Sequence, residues 1–158
     1  MITVSRQKEG DRMQETRILL VEDDEVLCDV VRRNLEARGY HVSVANDVQG
    51  ALAHLRSQEF DLIVLDINLP DQTGWDVLRI AKSEGRIHPH EGDGDKLPVV
   101  VLSAVRVSPG RLAEFRPLAY LPKPFPLEAL LRLAAEAAQH DDVGPEPTSI
   151  NNEEELHA

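Results

Sequence analysis

Five short apolar runs, each followed by an amphipathic segment, constrain this chain more than any other feature. The runs fall at residues 18–21, 41–45, 62–65, 99–102 and 119–121. They are β-branched or leucine-rich and mostly apolar at consecutive positions, which is typical of parallel strands buried on both faces. Because a helical pattern follows each run, the order strand–helix occurs five times. We therefore predict an α/β fold, a doubly wound sheet of five parallel strands.

The segments between the runs carry ordinary helix signals. After Asp24, apolar positions spaced for one helix face continue to Gly39, a residue typical of helix ends. Ser108 followed by Pro109 indicates an N-cap with proline at the first helical position. Because Pro117 follows so soon, we expect this fourth helix to have no more than two turns.

The ends of the chain differ from its middle. Residues 1–16 are polar and aperiodic, and residues 139–158 hold six acidic residues with no lysine or arginine. Such segments bury too little apolar surface to fold alone, so we expect a disordered N-terminal extension, a folded domain over 17–138 and a disordered acidic tail. Within the domain, the polar residues 84–97 predict an exposed loop before the fourth strand.

Composition excludes several classes of function. The net charge is −11, from 17 Lys and Arg against 28 Asp and Glu, which argues against direct binding to nucleic acid or to anionic membranes. No apolar run approaches the ~20 residues that a membrane span needs. The single cysteine, Cys28, excludes an intramolecular disulfide and a thiolate metal cluster. Because the N-terminus lacks the apolar core of a signal peptide, we expect a cytoplasmic location.

Polar side chains follow four of the five predicted strands. In chain order they are Glu22, Asp23 and Asp24 after the first strand, Asp66 after the third, Ser103 after the fourth and Lys123 after the fifth. The carboxyl ends of parallel strands meet at one edge of the sheet, where ligands of open α/β folds bind. We therefore expect these carboxylates, the hydroxyl and the ammonium group to converge.

Converging carboxylates repel one another unless a cation compensates them. Mg²⁺ suits a site of a few carboxylates completed by water and a phosphate oxygen. A carboxylate beside Mg²⁺ and a lysine can attack a phosphoryl donor while the two cations stabilise the charge on the transferred group. In isolation, Asp23 and Asp24 could instead cap the first helix.

Four motifs in this order resemble the receiver domain of bacterial two-component response regulators. They are VEDD at 21–24, DLIVLDINLPDQTGWDVL at 61–78, VVVLSA at 99–104 and YLPKPF at 120–125. The similarity covers roughly residues 17–138. It implies the flavodoxin-like (βα)5 receiver fold with strand order 2-1-3-4-5.

The resemblance also implies a role for individual residues. Asp66 corresponds to the aspartate that accepts the phosphoryl group. Asp23 and Asp24 correspond to the acidic pair that holds Mg²⁺ together with Asp66, and the backbone carbonyl of Asn68 completes that metal site. Lys123 corresponds to the lysine that pairs with the phosphate.

Further residues correspond to the switch of the family. Ser103 matches the hydroxyl that turns toward the phosphoryl group, and Ala104 matches the small residue that leaves room for that group. Tyr120 matches the aromatic residue that moves inward with the hydroxyl. Pro124 resembles a proline that follows a cis peptide bond in the family.

The resemblance implies a signalling phosphoacceptor, a stand-alone response regulator, rather than an enzyme acting on external substrates. Its phosphoryl donor would be a sensor histidine kinase or a histidine phosphotransfer protein, and its output would pass through an unknown downstream protein. Alternatively, the chain is the excised receiver of a longer regulator.

The sequence leaves two other classes of protein as alternatives. A phosphohydrolase of the haloacid dehalogenase type also uses an aspartate nucleophile and Mg²⁺, but it needs a second acid where this chain has Asn68. A flavodoxin-like cofactor binder needs a glycine- and hydroxyl-rich phosphate loop after the first strand, where this chain has acidic residues.

Overall fold

Five strands alternate with five helices in the computed structural model, which describes residues 15–90 and 94–141. The strands are β1 (Arg17–Val21), β2 (His41–Ala45), β3 (Leu62–Asp66), β4 (Leu97–Ser103) and β5 (Pro117–Pro122). The helices are α1 (Glu25–Ala37), α2 (Val48–Ser57), α3 (Gly74–Ser83), α4 (Pro109–Phe115) and α5 (Leu127–Asp141). Each predicted strand and helix is therefore present.

All five strands are parallel and form one sheet in the order β2-β1-β3-β4-β5. This confirms the strand order that the resemblance implied. β1 and β3 are neighbours, with Val21 opposite Leu65, and β3 pairs Asp66 with Leu102 of β4. The residues that follow β1, β3 and β4 consequently meet at one edge of the sheet.

The sheet buries a hydrophobic layer on each face. On one face, residues such as Leu19 and Ile63 pack against α2, α3 and α4, and on the other, residues such as Leu20 and Val64 pack against α1 and α5. Successive side chains of a strand point to opposite faces, so a strand covered on both sides is apolar at consecutive positions. Every residue of β3 is buried, which fixes the position of Asp66 at its end.

α4 is short, as the two prolines predicted. It has seven residues, begins at the N-cap Ser108 and ends at Arg116, whose φ of 51° is left-handed. The ring of Phe115 stacks on Trp75 of α3 with centroids 5.2 Å apart and planes 16° apart. The Arg111 guanidinium lies 5.9 Å from the centre of the same Trp75 ring. Aromatic and cation–π contacts thus join α4 to the start of α3.

The structure extends several predicted boundaries. β4 begins at Leu97 rather than at residue 99, and Ile87 in the segment predicted as an exposed loop is 7% exposed and belongs to the core. α5 continues to Asp141, beyond the predicted domain end at 138. The predicted disorder of residues 1–14 and 142–158 lies outside the described residues. None of the helices in the described part of the chain is long and apolar enough to cross a membrane.

Candidate functional site

Three carboxylates meet where β1 and β3 end. Oxygen atoms of Glu22, Asp23 and Asp66 all lie within 4.8 Å of one another. Glu22 and Asp66 are 0% and 3% exposed, whereas Asp23 is exposed to solvent. The cluster therefore has a buried floor and an open side, as a site for a small ligand requires.

The acidic pair of the cluster lies one residue earlier than predicted. The resemblance implied Asp23 and Asp24, but the cluster contains Glu22 and Asp23. The Asp24 carboxylate instead accepts hydrogen bonds from the backbone N–H groups of Val26 at 3.0 Å and Leu27 at 3.1 Å. Asp24 is thus the N-cap of α1, because its carboxylate satisfies amides that otherwise lack a partner in the first helical turn.

Lys123 joins the two buried carboxylates. Its Nζ donates to Oε1 of Glu22 at 2.8 Å and to Oδ2 of Asp66 at 3.1 Å. Its backbone N–H donates to the carbonyl of Ser103 at 2.8 Å, and the Lys123–Pro124 peptide bond is cis, as the resemblance implied. The structure therefore brings Lys123 from the end of β5 to the predicted position beside Asp66.

Burial and charge shift the pKa of two groups in this cluster. Burial raises the pKa of Glu22, and hydrogen bonds from Lys123 and from the Asp24 amide offset only part of that effect. Burial by itself would lower the pKa of Lys123, but its hydrogen bonds and attraction to Glu22 and Asp66 outweigh burial and raise the pKa. Counted as ionised, three carboxylates against one ammonium leave two negative charges, so the cluster favours an additional cation.

The loop after β3 folds back on Asp66. The Asn68 backbone N–H donates to Oδ1 of Asp66 at 3.0 Å, and Asn68 forms an antiparallel bridge with Thr73. The Gly74 N–H then donates to the carbonyl of Ile67 at 2.7 Å. The Asp66 carboxylate is thereby held on one oxygen by Asn68 and on the other by Lys123.

Asp71, at the tip of this loop, was not predicted as a site residue from the sequence. Its carboxylate accepts from the N–H groups of Val48 at 3.0 Å and Gln49 at 3.3 Å, which begin α2. The hydrogen bond from Val48 is the largest of the interactions that lower the pKa of Asp71 below its usual value. No local pattern identifies such a contact, because the helix that Asp71 caps lies more than twenty residues earlier in the chain.

Ser103 and Tyr120 converge on one carbonyl group rather than on Asp66. The Ser103 hydroxyl donates to the carbonyl of Val105 at 2.7 Å and accepts from the Val105 N–H at 3.1 Å. The Tyr120 hydroxyl donates to the same carbonyl at 3.4 Å. Ala104, between the two residues of this turn, is exposed.

The parallel sheet, the acidic cluster and the lysine together define a class of α/β protein with a polar site at the carboxyl edge of the sheet. The family model for the response regulator receiver domain matches residues 18–135. The chain therefore belongs to the receiver domain family of two-component response regulators.

Relatives and solved structures agree with this assignment. Response regulator MprA of Mycobacterium tuberculosis is 39% identical over 117 residues, which are 73% of this chain and 47% of that protein. The chain thus spans about half the length of the curated relatives that it matches.

Two receiver domain structures are similar along most of this chain. The non-phosphorylated HemR receiver domain from Leptospira biflexa is 34% identical with a TM-score of 0.64, over 83% of this chain and 98% of that one. The receiver domain of the sensor histidine kinase PA1611 from Pseudomonas aeruginosa PAO1 is 27% identical with a TM-score of 0.63, over 79% and 98% of the two chains. That structure has a magnesium ion coordinated in its active site cleft.

These similarities do not favour the phosphohydrolase that the sequence left open. The residue two positions after Asp66 is Asn68, whose side chain cannot act as a general acid or base. The carboxylates of Glu22 and Asp23 also follow β1, where a flavodoxin-like cofactor binder would place its phosphate loop.

Proposed function

We propose that this protein is a Mg²⁺-dependent phosphoacceptor that receives its phosphoryl group on Asp66. One observation carries the proposal: the buried Asp66 carboxylate lies beside Lys123 and within an acidic cluster that opens to solvent. The combination provides a nucleophile, a fixed positive charge and ligands for a cation.

The proposed magnesium ligands are Glu22, Asp23, Asp66 and the backbone carbonyl of Asn68. The donor set fits the ion, because carboxylate and carbonyl oxygens are the ligands that Mg²⁺ prefers. When bound, Mg²⁺ would neutralise charge on the phosphoryl oxygens. Glu22 replaces Asp24 in the set that the resemblance implied, since Asp24 caps α1.

Asp66 attacks the phosphorus of a phosphohistidine on a sensor histidine kinase or a histidine phosphotransfer protein. The new bond joins a carboxylate oxygen of Asp66 to phosphorus, and the bond from phosphorus to the histidine nitrogen breaks with its electron pair leaving on that nitrogen. Lys123 is 3.1 Å from Oδ2 of Asp66, so its ammonium lies where negative charge on the transferred group needs stabilisation. The exposed Ala104 leaves space beside Ser103 for the group.

The signal would pass through Ser103 and Tyr120. In the structure both hydroxyls donate to the carbonyl of Val105. A phosphoryl group on Asp66 offers the Ser103 hydroxyl a charged acceptor, which forms stronger hydrogen bonds than a neutral carbonyl. Once the Ser103 hydroxyl no longer donates to the Val105 carbonyl, the turn and Tyr120 would shift. A downstream protein partner in the cytoplasm would bind the altered surface.

Phosphorylation tests the proposal directly. We expect wild-type protein incubated with Mg²⁺ and acetyl phosphate to gain the mass of one phosphoryl group, and we expect excess EDTA to prevent the gain because the carboxylates then lose their counterion. Intact-mass spectrometry measures both results. An unchanged mass with Mg²⁺ present, against a known receiver domain labelled in parallel, would reject the proposed function.

Paired substitutions distinguish the two candidate metal ligands that follow Glu22. Asp23→Asn and Asp24→Asn each remove one negative charge. Position 23 is exposed and asparagine is a good N-cap at position 24, so both variants should fold. We expect Asp23→Asn to weaken Mg²⁺ binding by at least about 10-fold, as loss of a metal-supporting group typically does. Asp24→Asn should stay within about 3-fold of wild type, because the Asp24 carboxylate caps α1 outside the acidic cluster and its remaining influence is screened by salt. Isothermal titration calorimetry measures the affinities. Equal losses of Mg²⁺ affinity in the two variants would show that Asp24 contributes to the metal site as much as Asp23 does.

A further inference from the structure

The first three backbone amides of α2 are satisfied by two different carboxylates. Oδ1 of Asp47, the N-cap of the helix, accepts from the N–H of Gly50 at 2.7 Å. The N–H groups of Val48 and Gln49 donate instead to Asp71, which belongs to the loop after β3. The start of α2 is therefore a point of attachment for a loop that is distant in sequence.

That loop is the one that carries Asn68. At its base, Asn68 pairs with Thr73 and the Gly74 N–H bonds to Ile67. In its middle, Leu69 packs against the core, but Asp71 and the residues on either side of it are exposed. At the tip, the hydrogen bonds of Asp71 to α2 are the described contacts that hold the exposed part of the loop against the body of the protein.

We propose that Asp71 is a positioning residue for phosphoryl transfer: by capping α2 it fixes the loop that presents the Asn68 carbonyl to the metal and the Asn68 N–H to Asp66. The inference rests on the proposed function, since it concerns the same site. Asp71 acts on the reacting atoms only through the backbone of Asn68, which donates to Oδ1 of Asp66 at 3.0 Å. Small displacements of groups that orient a metal or a nucleophile cost large factors in affinity and rate.

Asp47 supplies the matched control. Asp71→Ala and Asp47→Ala each remove one negative charge and one capping carboxylate from the start of α2, but only Asp71→Ala releases the loop. Asp71→Asn removes the charge but keeps one acceptor oxygen for the Val48 N–H, the shorter of the two hydrogen bonds, so it tests whether geometry or charge matters. Urea unfolding of the three variants without Mg²⁺ shows how far each destabilises the fold and sets conditions in which all are folded.

Three readouts are compared in the folded proteins. They are the Kd for Mg²⁺ by calorimetry, the initial rate of labelling by acetyl phosphate, and hydrogen exchange of the Asn68 and Gly74 amides, which donate to Asp66 and Ile67. We expect Asp71→Ala to weaken Mg²⁺ binding and slow labelling by about 10-fold each and to speed exchange at both amides. We expect Asp47→Ala and Asp71→Asn to remain within about 3-fold of wild type in Mg²⁺ affinity and labelling rate.

Two outcomes overturn the inference. Wild-type values for Asp71→Ala would show that the loop holds its position without this contact, and an equal loss in Asp47→Ala would show that helix stability or charge is responsible. If the wild-type protein itself takes up no phosphoryl group, the proposed function fails and the role of Asp71 in transfer fails with it. Amide exchange still decides in that case whether Asp71 holds the loop.

Discussion

Asp66→Asn is expected to carry no phosphoryl group under conditions in which wild-type protein gains one. The substitution keeps the size of the side chain and an oxygen that can accept from the Asn68 N–H, but it replaces the carboxylate nucleophile with a neutral amide. It also removes one of three mutually repelling carboxylates, so we expect the variant to be at least as stable as wild type. Intact-mass spectrometry and urea unfolding measure the two effects.

Asp76→Asn is the control for the loss of an aspartate elsewhere. Asp76 lies on α3, pairs with Arg79 and is absent from the acidic cluster, so this variant should be labelled like wild type. Hydroxylamine, which cleaves acyl phosphates, should remove the label from wild-type protein. Labelling of Asp66→Asn to the wild-type extent would show that another residue accepts the phosphoryl group.

Gly74→Ala is expected to damage both the fold and the site. A Cβ atom at this position would lie 2.4 Å from the carbonyl oxygen of Asp66 and 3.0 Å from the Cα of Ile67, and these are backbone atoms that cannot rotate away. We expect the free energy of unfolding to fall by about 1–3 kcal/mol, the usual cost of overpacking. Displacement of Asp66 should also slow labelling by about 10-fold or more.

Gly110→Ala is the corresponding control within a helix. Gly110 lies in the first turn of α4, where the added Cβ would meet only the Ser108 hydroxyl oxygen at 4.0 Å. Alanine restricts the unfolded chain more than glycine does, so this variant should be unchanged or more stable by up to about 1 kcal/mol. A loss of stability in Gly110→Ala equal to that in Gly74→Ala would show that contact with β3 is not the cause.

Much of the fold follows from local patterns that the sequence displays. Consecutive apolar residues in β3 predicted a strand covered on both faces, and the structure buries each of them. Ser108 and Pro109 predicted the start of α4, and Pro117 predicted its early end. The position of Asp66 beside Lys123 could be predicted because both residues follow parallel strands of one sheet.

The remaining features depend on contacts that no local pattern specifies. Glu22–Asp23 and Asp23–Asp24 are equally good acidic pairs in sequence, and only the start of α1 decides that Asp24 is a cap. The attachment of Asp71 to α2 depends on where that helix begins relative to the loop after β3. The hydrogen bonds of Ser103 to Val105 depend on the conformation of a turn whose residues carry no strong turn signal.

The stack between α3 and α4 gives this protein an intrinsic optical reporter. Trp75 is the single tryptophan of the chain, it is 8% exposed, and its ring stacks on Phe115 and lies near the guanidinium of Arg111. Indole fluorescence responds to the neighbours of the ring. A rearrangement that moves α4 away from Trp75 should therefore change the emission of the unlabelled protein. The rate of that change can be followed in a stopped-flow instrument.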